Sequence, residues 1–130
     1  MNIPANHRRP LACASCLVCL AATACFADPR DLDDARAAAL GIRKLASRHL
    51  TLYTDLASTP EIDRLPEIFD RAVPQWAAYF DVPRNKTADW HMQGYLIAER
   101  AKFDALRLMP AGNDGFLHGF SIGHELWLYD

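Results

Sequence analysis

All four cysteines of the chain, Cys13, Cys16, Cys19 and Cys25, lie before Phe26, so everything after that point has to fold without a disulfide. A domain of roughly a hundred residues in that position depends on its apolar core alone. It must pack well or borrow surface from a partner. With 51% hydrophobic and 23% charged residues, the 130-residue chain has the composition of a single globular domain.

The cysteines themselves sit in a segment with the layout of a secretory signal peptide. Arg8-Arg9 is followed by an apolar and small-residue run from Leu11, then by Cys25-Phe26-Ala27 and the polar "DPRDLDD". Such a run is too short and too weakly flanked for a stable membrane span. Residues 1–27 are therefore expected to be removed by cleavage after Ala27, which makes the chain an exported, periplasmic or extracellular protein with no membrane span left. A second reading takes "ATAC" as a bacterial lipoprotein box with Cys25 as the lipid-bearing first residue, although Ala22 fits the first position of that box poorly. The C-x2-C-x2-C spacing invites a metal, but an apolar leader offers neither thiolates nor a polar shell to support them. Loss of Arg8 and Arg9 with the leader takes fourteen basic residues to twelve against sixteen acidic, a net charge of −4. No basic run or arginine-and-aromatic platform is present, which argues against nucleic acid as a partner.

Residues 28–41 read as a lead-in or short helix, acidic at its start and stopped by Gly41. In "HLTLYTDL" apolar and polar residues alternate, predicting a strand over 49–54. Residues 42–46 are either its hairpin partner across Ser47-Arg48 or the tail of the preceding helix. In "STPEIDRLPEIFDRAVPQWAAYFDVP" an apolar stripe, Ile62, Leu65, Phe69, Ala72, Val73, Trp76 and Phe80, recurs at helical steps. Thr59 before Pro60 is its N-cap, and Pro66 and Pro74 predict a bent helix or two stacked segments with a kink near 70–74. Trp76, Tyr79 and Phe80 are expected in the core. "WHMQGYLI" predicts a strand, and "AERAKFDALRLM" a helix ended by Pro110 with Ala101, Ala105 and Leu108 on one face. "FLHGFSIGHELWLYD" predicts two short strands joined near Ser121-Ile122-Gly123. The fold class is thus α+β: a small mixed or antiparallel sheet, two or three packed helices and a C-terminal β-hairpin.

The chemically suggestive stretch is "HELWL". A zinc-protease helix needs His-Glu-x-x-His, because positions one and five lie one turn apart and aim two imidazoles at one ion. Here the fifth position is Leu128. The alternation of Leu126 and Leu128 against Glu125, Trp127 and Tyr129 is that of a strand, on which His124 and Glu125 face opposite ways. His49, His91, His118 and His124 are spread over four elements, with His118 and His124 the one pair that a hairpin could bring together. Asp33-Asp34 and Glu61/Asp63 fall at helix starts, where negative charge has a structural purpose. No Gly-x-Ser-x-Gly elbow or phosphate-cradling glycine loop is present, and no cysteine nucleophile follows the leader. No catalytic, metal or cofactor residue is assigned.

The order of strand "HLTLYTDL", helix "LPEIFDRAVPQWAAYF", strand "WHMQGYLI", helix "AERAKFDALRLMP" and hairpin "GFLHGFSIGHELWLYD" resembles the region just upstream of the zinc helix in exported bacterial proteins of the gluzincin, or peptidase MA-like, class. The resemblance covers roughly residues 42–130. It implies that "ELWLYD" lines the upper edge of a cleft and leads into a helix carrying His-Glu-x-x-His. Residues 42–130 would then be the N-terminal part of an incomplete gluzincin-like domain, with Glu125, Leu126, Trp127, Leu128 and Tyr129 as a peptide-pairing edge strand. Neither the zinc histidines nor the general-base glutamate has a counterpart here, so catalysis by this chain alone is not expected, and zinc enters only with a further segment carrying the motif. Partners under this reading are an extended peptide or the missing C-terminal half. The alternative is a small periplasmic or extracellular binding or structural module without enzymatic activity, complete at Asp130 and dimerising through its C-terminal strand.

Overall fold

The computed structural model describes residues 31–112 and 118–130; the expected leader, Cys25 and the expected cleavage point after Ala27 lie outside them. The first helix, α1 (Asp34–Ala39), is capped by Asp33, whose carboxylate accepts from the Ala35 and Arg36 amides. It ends as a Schellman motif: Ile42 N–H reaches Ala37 O and Gly41 N–H reaches Ala38 O, with Gly41 at φ 75°. That left-handed turn costs a glycine nothing, so Gly41 is the stop expected of it.

Residues 42–46 resolve as strand. β1 (Arg43–Ala46) pairs antiparallel with β2 (Leu50–Thr54), Leu45 opposite Leu52. The tight turn falls on Arg48-His49, where Ser47 N–H donates to Leu50 O at 2.8 Å.

Two helical segments follow, α2 (Pro60–Asp63) and α3 (Leu65–Tyr79). Thr59 caps the first, its hydroxyl oxygen accepting from Ile62 N–H at 3.3 Å. The interruption lies at Arg64, not near 70–74. Pro66 sits in the first turn of α3, where it lacks no needed donor, and Pro74 is carried inside a continuous helix. The expected core roles of Trp76, Tyr79 and Phe80 are not realised: they are 43%, 83% and 68% exposed. Only Pro66, Val73 and Ala77 of α3 are buried; Trp76 and Phe80 border an open cavity instead.

After the single turn α4 (Arg84–Thr87) comes β3 (Met92–Ile97), parallel to β2 with Leu52 opposite Gly94. The next helix, α5 (Arg100–Ala105), is shorter than its sequence suggests. Leu108 N–H turns back to Phe103 O, and Arg107, at φ 57°, takes the left-handed place that Gly41 takes after α1. Ala101 and Ala105 are exposed, whereas Phe103 and Leu108 are buried; Leu108 gets there by leaving the helix.

The hairpin comprises β4 (Gly119–Ile122) and β5 (Glu125–Tyr129), with Ile122 opposite Glu125 across a two-residue turn at Gly123-His124. Sheet order is β1-β2-β3-β5-β4, so β5 is parallel to β3 on one side and antiparallel to β4 on the other. This corrects the edge strand expected at Glu125, Leu126, Trp127, Leu128 and Tyr129, which is flanked on both sides; the outermost strand there is β4.

The result is an α+β fold with a mixed sheet between two helical layers. On one face Tyr53, Tyr95, Ile97 and Trp127 pack with Ala37 of α1, Phe103 of α5 and Leu108. On the other, Leu50, Leu52 and Met92 meet Leu65 and Phe69 of α3. Among the described residues no helix is long and apolar enough to cross a membrane.

Candidate functional site at the outer hairpin

The two outer strands of the sheet are treated differently. β1 carries Arg43 and Lys44, and both are tethered. Arg43 donates to Asp63 at 2.8 Å and to Leu56 O at 3.1 and 3.2 Å, and Lys44 donates to Asp34 at 2.6 Å. The hydrogen bond from Lys44, and then that from Tyr53, hold the Asp34 carboxyl below its ordinary value. Charged side chains along a sheet border are the usual guard against unwanted pairing.

β4, Gly119-Phe120-Ser121-Ile122, has no charged residue, and Ile122 is 54% exposed. Tyr129 N–H donates to His118 O at 3.1 Å, so the backbone groups of His118, Phe120 and Ile122 point inward to β5. By antiparallel alternation those of Gly119 and Ser121 point outward. Among the described residues no strand takes them.

The hairpin is held rigidly behind that border. Trp127, 0% exposed, donates its indole N–H to Leu108 O at 2.8 Å and stacks on Tyr95 with ring centroids 5.5 Å apart. Near the turn, Gln93 donates to the Tyr95 hydroxyl at 2.6 Å, and that hydroxyl donates to Glu125 at 2.9 Å. Glu125 thus faces the polar end of the Trp127 side of the sheet. On the opposite side Leu96, Leu126 and Leu128 form the floor of an apolar trough of about 380 Å³, walled by Ile68 and Trp76 of α3.

The histidines do not converge. His118 precedes β4 and His124 lies in the turn at its other end, so the expected pair is separated by a strand of roughly 13 Å. His49 Nδ1–H donates to Trp90 O at 2.7 Å. His91 Nδ1–H donates to Arg48 O at 2.9 Å, leaving Nε2 to accept from the Thr51 hydroxyl at 2.9 Å. A carbonyl can only accept, which fixes the tautomer of both rings. These two imidazoles tie the β1–β2 turn to the approach of β3. Among the described residues no three His, Cys, Asp or Glu side chains are grouped to hold a metal.

The turn has a further clamp that the sequence did not single out. Asp70 on α3 accepts from the His49 amide at 2.8 Å, the Ser47 hydroxyl at 2.8 Å and the Arg48 amide at 3.1 Å. Burial pushes its carboxyl up, but the His49 amide, the Ser47 hydroxyl and the Arg48 amide outweigh it and hold the group below its ordinary value. An aspartate beside an otherwise apolar stripe, next to Phe69 and one turn before Val73, was the available signal. Compared with family models, curated proteins and solved structures, the chain finds no match in any of the three.

Proposed function

We propose that this chain is the substrate-side part of a zinc metallopeptidase-like domain, presenting a strand border to an extended peptide and supplying no metal or catalytic group of its own. The observation that carries the proposal is β4: outermost, uncharged, antiparallel to its neighbour, with the outward amides and carbonyls of Gly119 and Ser121 untaken among the described residues. A peptide added there gains main-chain hydrogen bonds on a rigid template, the mode used by strand-addition sites. The strands and helices on which the sequence resemblance was drawn form in that order, and the edge role is assigned here one strand further out, to β4. The open trough over Leu96, Leu126 and Leu128 is the place where a further helix would pack.

Two measurements test this. Translation of the DNA beyond the Asp130 codon is expected to reveal His-Glu-x-x-His within some tens of residues; a stop codon with no such motif in any frame removes the metallopeptidase half of the proposal. Hydrogen exchange of the full chain with reduced, carboxymethylated lactalbumin as the extended probe is expected to protect Gly119 and Ser121. Protection elsewhere, or none, removes the strand-addition half. The exposure of Ile122 supports a second reading, in which the same border pairs with a second copy. Sedimentation would then show a dimer that Ile122→Lys abolishes.

A further inference from the structure

The exposed aromatic side chains at the end of α3 are not scattered. Trp76 and Phe80, with Val82, Trp90 and the buried Val73 and Ala77, enclose a cavity of about 430 Å³. This is within the size of small-ligand sites, roughly 300–1,000 Å³. α3 ends in the same reversal as α1 and α5, Val82 N–H returning to Ala77 O at 2.8 Å with Asp81 at φ 53°. That reversal folds Val82 and α4 back toward the helix and creates the concavity. Tyr79, set edge-on against Phe80 at 4.9 Å, stiffens the rim.

The mouth is cationic. Lys86 lines the aromatic cavity, and Arg84 and Arg48 line a second one that shares Val73, Ala77 and Thr87 with it. Arg48 is committed to Ala88 O at 3.1 Å, whereas the side chains of Arg84 and Lys86 make no hydrogen bond or ion pair among the described residues. The acid in the second cavity, Asp70, already accepts three hydrogen bonds, and Asp81 and Asp89 belong to neither wall. An aromatic slot lined by Lys86, a cation with no ion pair among the described residues, is complementary to an apolar molecule with a negative end. We propose that the Trp76–Phe80–Trp90 cavity binds a free monoanionic amphiphile, an apolar chain carrying a carboxylate, with the chain between the rings and the carboxylate at Lys86. A free molecule fits better than a bilayer because the apolar surface is concave and its floor, Val73 and Ala77, is buried. This site is separate from β4 and does not depend on its assignment.

Calorimetric titration of the full chain with sodium decanoate below its micellar concentration tests the proposal, with decanol, decyltrimethylammonium and phosphatidylglycerol vesicles as parallel arms. Decanoate is expected to saturate at one per chain, with decanol about tenfold weaker and the cationic amphiphile weaker still. Lys86→Gln should weaken decanoate about tenfold and leave decanol unchanged, while Phe80→Ser weakens both. Both positions are exposed, so circular dichroism should be unaltered. Absence of saturable decanoate binding, equal binding of all three amphiphiles, or binding of the vesicles without decanoate would each overturn it.

Discussion

Trp127 donates its indole N–H to the carbonyl oxygen of Leu108 at 2.8 Å, joining the interior strand of the hairpin to the reversal that follows α5. Both side chains are buried. Trp127→Phe keeps a ring in place but leaves the Leu108 carbonyl without its donor and opens a small void. The expected loss is about 2–4 kcal/mol in urea unfolding. A loss under about 1 kcal/mol would mean that the carbonyl finds another donor cheaply.

Asp70 should dominate the acid limb of the stability curve near the β1–β2 turn. Its folded-state carboxyl lies below the ordinary value of 3.8. Its contribution is therefore complete above that ordinary value and is lost as pH falls through the lower folded value. Asp34 and Asp63 are shifted the same way, so the informative quantity is the difference between wild type and Asp70→Asn. The variant's acid limb should be flatter. At neutral pH Asp70→Ala is expected to cost about 1–3 kcal/mol by orphaning the His49 and Arg48 amides.

Arg107 occupies a left-handed position that a glycine would take without strain. Arg107→Gly should raise thermal stability by about 0.5–1 kcal/mol, the relief of backbone strain exceeding the entropy added to the unfolded chain. An unchanged or lower melting temperature would show that the arginine side chain contributes contacts of comparable size.

Two glycines in the sheet are predicted to differ. A Cβ at Gly94 would lie 3.1 Å from Leu52 Cδ1 and 3.3 Å from Leu50 Cδ1, and both leucines are buried beneath α3. Gly94→Ala should cost about 1–2 kcal/mol. At Gly119 the Cβ would meet Leu128 Cδ2 at 2.8 Å, a closer approach, but Leu128 is at the surface and can swing away. Gly119→Ala should remain within about 0.5 kcal/mol of wild type by the same urea measurement.

Much of this architecture was legible in local pattern. Alternation in "LTLYT" and "ELWLY" gave the faces correctly, Tyr53 and Trp127 on one side and Leu52 and Leu126 on the other. Thr59 and Gly41 marked helix ends for the reasons they usually do. What failed was long-range. The apolar stripe of α3 continues to Phe80, but Trp76 and Phe80 border an open cavity, and nothing in the helix reports what its partner surface leaves uncovered. Likewise α5 is composed of good helix formers to Met109, yet Leu108 is worth more to the core than one further helical turn. The interior place of β5 had a readable sign: Leu126, Trp127 and Leu128 are apolar on both faces, which suits a covered strand, while "GFSI" does not. The Asp70 clamp and the aromatic cavity had only weak signs, an acid beside an apolar stripe and a helix end richer in rings than in charge.

β5 slots between β3 and β4 although it follows both in the chain. During synthesis, therefore, Tyr95 and Ile97 have no lateral neighbour on that side until Tyr129 has left the ribosome. A nascent chain stalled before β5 has its central ladder open along its length and is a client for chaperones. The five residues of β5 decide whether that ladder is closed.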